Sequence, residues 1–219
     1  MNLRKKFRAL MSGKRLILMP GAYDGLSARI MEAEGFEALC AGGYAAIGSM
    51  MAQADMGQSN MRDYADHYAR ICAAVEIPVF VDADTGFGGV NNVRQMIRAF
   101  EAADVAGMFF SDQVFPNRCG YLPGKQVIPA EQMLAKIKAA LDARRDPDFF
   151  IAARTDAAEP GIGIDENRNF NGGADACVMV RIVAHVRLAH VGLRHHRADR
   201  GIAAGAQRLE TFSFHDASR

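Results

Sequence analysis

The chain has 219 residues, half of them hydrophobic, with 26 basic and 25 acidic side chains. This length fits one domain, or one domain with a small appendage, and the apolar fraction is enough for a large core. A net charge of +1 gives no electrostatic basis for binding nucleic acid or an anionic membrane. No apolar run reaches the roughly 18–20 residues of a membrane span, and the basic start lacks the apolar segment of a signal peptide.

The four cysteines are scattered, and no two of them form a CxxC pair. This usage is typical of cytosolic thiols and does not suggest a disulfide framework or a zinc site. We therefore expect a cytoplasmic protein.

Strand-like apolar runs alternate with helical patterns over the first 157 residues. Short strands are predicted at 16–19, 38–41, 78–81, 107–110 and 149–153, and helices at 3–14, 24–34, 60–75, 92–103 and 129–143. The stretch 42–60 is interpreted as a small-residue loop followed by a Met-rich loop on the functional side. A strand, loop and helix repeated about every 30 residues predict an α/β fold with a parallel sheet.

An acidic pair, Asp82 and Asp84, directly follows the apolar run 78–81. Residues i and i+2 of a strand point the same way, so both carboxylates enter one pocket if the extended geometry continues across them. Two close like charges repel unless a positive charge is near, and Mg²⁺ commonly binds one or two carboxylates. The alternative is a solvated Asp-Gly turn.

Further polar residues follow the next strands, namely Asp112 with Gln113 and Arg154 with Asp156. Barrels of the (β/α)8 type and doubly wound sheets both place their chemistry at this edge. No GxGxxG follows the first strand, which disfavours a dinucleotide fold. In the loop 115–125, Cys119 stands beside Arg118, and an accessible thiol next to a cation is suited to act as a nucleophile or a proton donor.

Several motifs taken together resemble the isocitrate lyase and phosphoenolpyruvate mutase superfamily, with 2-methylisocitrate lyase-like proteins as the most similar branch. The match extends over residues 7–157, and its motifs are at 20–24, 42–43, 54–57, 82–88, 112–113, 118–120 and 153–157. The resemblance implies a (β/α)8 barrel, of which five or six βα units are recognisable, in a domain spanning 1–157.

The same resemblance implies a bound Mg²⁺ and a small 2-oxo or 2-hydroxy acid substrate. Asp82 and Asp84 would hold the Mg²⁺, and Asp55 would support its water shell. Arg118 and Cys119 would be catalytic residues on a mobile lid. The substrate-binding groups would be Cys40, Ala41, Gly42, Gly43, Gly120 and Arg154.

The implied reaction is cleavage of a 2-methylisocitrate-like acid to pyruvate and a dicarboxylate, through a metal-stabilised enolate and with Cys119 as proton donor. The alternatives are a phosphonomutase acting on a carboxyphosphonoenolpyruvate-like substrate, and a catalytically inactive partial barrel. We expect a homo-oligomer with no nucleic-acid or membrane partner. Three departures from the family pattern bear on activity, because Ser111 replaces a usual Glu, and Asn117 and Tyr121 replace a usual Lys and His.

The segment 158–219 has a different composition from the rest. It contains eight arginines and five of the six histidines but no lysine, and it matches no later barrel strand beyond 172–180. It is interpreted as a solvated or poorly ordered tail, and an out-of-frame reading of a GC-rich gene would produce the same composition.

Overall fold

The computed structural model describes residues 2–13, 15–119 and 122–156, together with the backbone of a strand at 178–181. The proposed domain boundary near residue 157 and the rest of the Arg- and His-rich segment lie outside these residues. None of the helices in the described ranges is long and apolar enough to cross a membrane.

The described residues form six helices and five strands. The helices are α1 (Leu3–Ser12), α2 (Gly25–Ala33), α3 (Gly43–Met51), α4 (Met61–Ala74), α5 (Val90–Ala102) and α6 (Ala130–Ala143). The strands are β1 (Leu39–Ala41), β2 (Val79–Asp82), β3 (Gly107–Ser111), β4 (Phe150–Thr155) and β5 (Val178–Arg181). Local signals place several helix ends as predicted: the Asp24 side chain accepts from the amide of Ser27, and Gly35 has a positive φ of 88° after α2.

The strands form one sheet in the order β1-β2-β3-β4-β5, and the first four are parallel. Their carboxyl ends therefore meet at one edge, where Asp82 pairs in register with Phe109, and Ser111 with Arg154. β5 runs antiparallel to β4, so it does not continue the parallel series that the motif at 172–180 suggested.

The predicted first strand, 16–19, does not form. In its place one parallel bridge joins Gly21 to Cys40, and the amide of Cys40 donates to the carbonyl of Pro20 over 3.0 Å. Leu16 and Leu18 are 76% and 67% exposed, so burial does not hold this stretch in a ladder. Pro20 also lacks the N–H that a longer ladder would need.

The predicted loop beginning at Gly42 is wrong in its first part, because residues 43–51 form α3. The helix begins directly after β1 and buries Ala46 and Ile47 against the core. This tertiary burial outweighs the weak helix propensity of the glycines at its start.

Both faces of the sheet are buried. One face packs against α4, α5 and α6, with Tyr64 and Tyr68 of α4 among the fully buried side chains. The other face carries Phe80, whose ring stacks on Phe7 of α1 at a centroid distance of 5.2 Å. Two-sided burial accounts for the continuous apolar strands and leaves the carboxyl edge as the place where polar side chains gather.

Candidate active site

The acidic pair lies at the carboxyl end of β2, but the backbone there is not extended. Asp84 has a left-handed backbone with φ of 48°, and a hydrogen bond from the amide of Gly86 to the carbonyl of Ala83 closes a turn. The amide of Asp84 donates to Oδ1 of Asp82 over 2.8 Å. The two carboxylates therefore approach each other through a turn capped by the Asp82 side chain, and not through strand alternation.

Asp55 supplies a third carboxylate from the segment that follows α3. One oxygen each of Asp55, Asp82 and Asp84 can be chosen so that all lie within 4.8 Å of one another. We call these three residues the acidic cluster. The structure thus brings together the three residues that the family resemblance assigned to the Mg²⁺ site, although Asp55 is separated from the other two by some 30 positions in the chain.

Gly43 provides the space in front of the acidic cluster. Its amide, at the start of α3, donates to Oδ2 of Asp82 over 3.2 Å. A β-carbon at this position would lie 2.7 Å from Oδ2 of Asp55, 3.0 Å from Oδ2 of Asp82 and 3.3 Å from Oδ1 of Asp84. Three carboxylate oxygens therefore surround one small volume that only a glycine leaves open.

The charges of the acidic cluster are poorly compensated by the protein. Burial, reinforced by the nearby carboxylate of Asp55, raises the pKa of Asp82 to about 6. Burial and the charge of Asp82 raise the pKa of Asp84 well above its ordinary value, and burial raises the pKa of Asp55. The Arg154 guanidinium opposes these shifts without cancelling them. Such a site favours a cation, which compensates the negative charge that burial makes unfavourable.

The hydrogen bonds around the acidic cluster also fit a divalent cation. The Tyr64 hydroxyl donates to Oδ1 of Asp84 over 3.0 Å, and the Tyr68 hydroxyl donates to the carbonyl of Asp82 over 2.8 Å. Oδ2 of Asp84 is buried and has no hydrogen-bond partner among the described residues. Hard cations such as Mg²⁺ prefer oxygen ligands, and the three residues supply them at one point.

The predicted substrate-binding loop at 40–43 takes several roles. The Cys40 side chain packs in the cluster around Phe7, and burial raises the pKa of its thiol to about 12. Ala41 is fully buried, whereas Gly42 has open space at its Cα and precedes the first turn of α3. Of this loop, Gly43 contacts the acidic cluster directly, through the hydrogen bond from its amide to Asp82.

Arg154 stands at the end of β4, as predicted, and pairs with a carboxylate of the protein. Its Nε and one terminal nitrogen lie 3.2 and 2.9 Å from Oδ1 of Asp156, which is fully buried. The Asp156 carboxylate also accepts a hydrogen bond from the side-chain amide of Gln113 over 2.7 Å. The backbone amide of Asp156 donates to the carboxylate of Asp112. Arg154 is thus held in a polar network that joins the ends of β3 and β4.

The loop after β3 differs from the sequence expectation at Cys119. The thiol residue is 8% exposed, so the prediction of an accessible cysteine is wrong. The guanidinium of Arg118 is bound within its own loop, where it donates a hydrogen bond to the carbonyl of Pro123 over 2.7 Å. Gln113 holds the loop through both ends of its amide, by accepting from the Arg118 amide and donating to the Arg118 carbonyl. Gly120 lies outside the described residues.

Two residues of the site were not assigned a role from the sequence. In the sequence, Tyr64 is one of the positions on the buried face of the predicted helix at 60–75. Asn117 is notable only because the family usually has a lysine at this position. The structure places the Asn117 amide 3.1 Å from Oδ1 of Asp55. No local pattern marks either contact, because each joins segments that are distant in the chain. Ser111 is buried at the end of β3, where its hydroxyl lies 3.4 Å from the amide of Gln113.

Comparisons with known proteins agree with this geometry. A family model described as phosphoenolpyruvate phosphomutase matches residues 7–186. The chain is 42% identical over 166 residues to a 2,3-dimethylmalate lyase of Eubacterium barkeri, covering 76% of this chain and 57% of that protein. It is 40% identical over 182 residues to a chloroplastic carboxyvinyl-carboxyphosphonate phosphorylmutase of Arabidopsis thaliana, covering 80% and 54%. A probable 2-methylisocitrate lyase of Corynebacterium glutamicum is 41% identical over 155 residues, covering 71% and 50%.

Solved structures share the fold. An oxaloacetate acetylhydrolase with bound 3,3-difluorooxalacetate superposes with a TM-score of 0.70 at 34% identity, over 76% of this chain and 57% of that one. A phosphonopyruvate hydrolase complex with oxalate and Mg²⁺ gives a TM-score of 0.66 at 29% identity, over 74% and 56%. The expected barrel-type α/β class is confirmed, and its described part here holds four parallel strands.

The chain spans about half the length of the curated relatives it matches. The family assignment does not depend on the uncovered part of those relatives, since the family model matches residues 7–186, which is most of this chain. The chain therefore belongs to the phosphoenolpyruvate phosphomutase family, within the isocitrate lyase and phosphoenolpyruvate mutase superfamily.

Proposed function

We propose that this chain is a Mg²⁺-dependent carbon–carbon lyase that cleaves a 2-methylisocitrate-like 2-hydroxy acid to pyruvate and a dicarboxylate. The observation that carries the proposal is the convergence of three buried carboxylates on the space left open by Gly43. The lyases among the relatives support the reaction class.

The acidic cluster would hold the cation, with Asp82 and Asp84 as direct ligands and Asp55 supporting its water shell. A divalent cation bound there supplies positive charge next to substrate oxygens on which negative charge develops. Arg154, fixed by Asp156 at the end of β4, places a further positive charge toward the acidic cluster. A substrate with carboxylate and hydroxyl oxygens matches this arrangement of charges.

Cys119 is our proposed proton donor, and it lies on the loop that reaches the acidic cluster through Asn117. In the reaction, the bond between the hydroxyl-bearing carbon and its neighbour breaks. The hydroxyl passes its proton to a general base as its carbon becomes the carbonyl of pyruvate. The electron pair left on the neighbouring carbon takes the thiol proton, which yields the dicarboxylate. Burial of Cys119 limits the access of water to its thiol.

A second candidate function is a phosphonomutase acting on a carboxyphosphonoenolpyruvate-like substrate. The similarity to the Arabidopsis phosphorylmutase favours it. Migration of a phosphoryl group requires no proton from a thiol, so the two reactions differ in their dependence on Cys119. A third candidate is a chain that folds and binds partners of its own kind but does not turn over substrate.

Cation binding is the first test, with calorimetric titration of Mg²⁺ into the wild type, Asp82→Ala and the exposed-acid control Asp66→Ala. We expect binding by the wild type and the control and its loss in Asp82→Ala. Equal titrations of wild type and Asp82→Ala would contradict the proposed site and favour the inactive chain.

Turnover is the second test. We expect pyruvate release from 2-methylisocitrate by the wild type and a large loss in Cys119→Ala. Equal lyase activity of the two would end the proton-donor role, and turnover of the phosphonate substrate alone would favour the mutase. We also propose that the protein is a cytoplasmic homo-oligomer. Size-exclusion chromatography coupled to light scattering measures its oligomeric state.

A further inference from the structure

Asn117 is buried at the acidic cluster although it belongs to the loop that follows β3. The residue is 6% exposed. Its amide nitrogen donates to Oδ1 of Asp55 over 3.1 Å and lies 3.5 Å from Oδ1 of Asp84. One neutral side chain thus contacts two of the three carboxylates.

The contact with Asp55 uses a particular oxygen. Asn117 donates to Oδ1, whereas Oδ2 is the oxygen that lies 2.7 Å from the β-carbon position of Gly43. The amide therefore holds the Asp55 carboxylate by one oxygen and leaves the other facing the space shared by the acidic cluster. Outer hydrogen bonds of this kind orient the groups that surround a bound metal ion.

Close packing keeps Asn117 in this position. Gly57, two residues after Asp55, has a left-handed backbone with φ of 67°. A β-carbon there would lie 2.6 Å from Cβ of Pro116 and 2.9 Å from Oδ1 of Asn117. The segment that carries Asp55 and the loop that carries Asn117 can approach this closely because residue 57 has no side chain.

Oδ2 of Asp84 and Oδ1 of Asn117 are buried and have no hydrogen-bond partner among the described residues. A buried polar atom without a partner costs free energy. The amide nitrogen satisfies the outer side of the acidic cluster, while Oδ2 of Asp84 still lacks a positive partner. This pattern fits a site that the protein completes up to, but not including, a cation.

We infer that Asn117 is a positioning residue that orients Asp55 for a divalent cation, and that it couples the loop segment 113–119 to occupancy of the acidic cluster. The inference rests on the proposed cation site and deepens it, because it assigns a role to a loop residue outside the carboxylates. It makes Asn117 the link between cation binding and the position of Cys119, two residues further along.

The test is calorimetric titration of Mg²⁺ into the wild type, Asn117→Leu and Asn117→Ala. Asn91→Leu is the matched control, because Asn91 is an exposed asparagine on α5. We expect affinity to fall by about 10- to 100-fold in both Asn117 variants, the range for losing an outer partner of a metal ligand, and to be unchanged in the control. Circular dichroism establishes that each variant is folded, and the smaller alanine covers the case in which leucine does not fit.

A second readout follows the loop itself, through the rate at which Cys119 is alkylated with and without Mg²⁺, measured by peptide mass spectrometry. We expect Mg²⁺ to slow alkylation in the wild type and in Asn91→Leu but not in the Asn117 variants. Wild-type affinity in both Asn117 variants would overturn this inference and leave the cation site standing. Absence of Mg²⁺ binding by the wild type would overturn both.

Discussion

The hydroxyl of Tyr64 donates a hydrogen bond to Oδ1 of Asp84 across 3.0 Å. Tyr64 comes from α4 and is fully buried, while Asp84 lies in the turn after β2. Burial, together with the charge of Asp84, raises the pKa of the Tyr64 phenol, so the hydroxyl remains a donor throughout the physiological range. The helix that covers the sheet therefore also holds a carboxylate of the candidate cation site.

Replacing Tyr64 by Phe should destabilise the protein. The change removes the donor and leaves a buried carboxylate oxygen with one partner fewer, which costs about 1–3 kcal/mol in the free energy of unfolding. Urea unfolding measures the loss, with Tyr44→Phe as control because Tyr44 is 64% exposed. Identical unfolding midpoints for the two variants would contradict the importance of the contact.

Replacing Gly43 by Ala should abolish Mg²⁺ binding. The new β-carbon would stand 2.7 Å from Oδ2 of Asp55, inside the space that the acidic cluster surrounds. Gly42→Ala is a close control, because a β-carbon at Gly42 meets nothing within 4 Å. Calorimetry should show binding by Gly42→Ala and none by Gly43→Ala, and binding by both would place the cation elsewhere.

Replacing Arg154 by Met should destabilise the protein by about 3–5 kcal/mol, the range for removing one partner of a buried ion pair. The reason is that Asp156, which is fully buried, would lose its ion-pair partner, whose terminal nitrogen lies 2.9 Å from Oδ1 of Asp156. Arg62→Met is the control, since Arg62 pairs with Asp66 at 3.7 Å and both side chains are mostly exposed. Chemical denaturation should separate the two variants clearly, and similar losses would argue against a buried role for Arg154.

The helix cap at Asp24 should make stability depend on pH in the acid range. The hydrogen bond from the Ser27 amide is the main cause that lowers the pKa of Asp24 in the folded protein. The charged cap therefore stabilises the fold above the ordinary pKa of an aspartate, near 3.9, and this contribution is lost as the pH falls through the lowered folded-state value.

Two substitutions at Asp24 distinguish the stabilisation by the capping hydrogen bond from the stabilisation by the negative charge. Asp24→Ala should cost about 0.5–2 kcal/mol at neutral pH, whereas Asp24→Asn retains a capping oxygen and should cost much less. Thermal unfolding from pH 7 down to pH 3 should show the wild type and Asp24→Asn converging at the acid end. A constant gap between them would show that the carboxylate charge of Asp24 plays no part.

Several features follow from local sequence alone. The apolar runs that end at Ala41, Asp82 and Ser111 are strands, and α4, α5 and α6 lie where the helical periodicity predicts. Each depends on residues within one segment, through side-chain period, caps and breakers. Parallel order then places the acidic pair and Arg154 at one edge, so the ligand types of the site could be predicted.

Other features were decided by contacts between distant segments. Residues 43–51 form a helix because Ala46 and Ile47 are buried by the core, and 16–19 forms no strand because its leucines remain exposed. Burial of Cys119 likewise depends on how its loop packs.

The sequence by itself determined which carboxylates are available and at which edge of the sheet two of them lie. Only the tertiary structure decided how Asp84 turns back toward Asp82, and which side chains, Tyr64 and Asn117, hold the acidic cluster. The physical reason is that strand ends are set by local periodicity, whereas a hydrogen bond between segments far apart in the chain exists only once the core has brought them together.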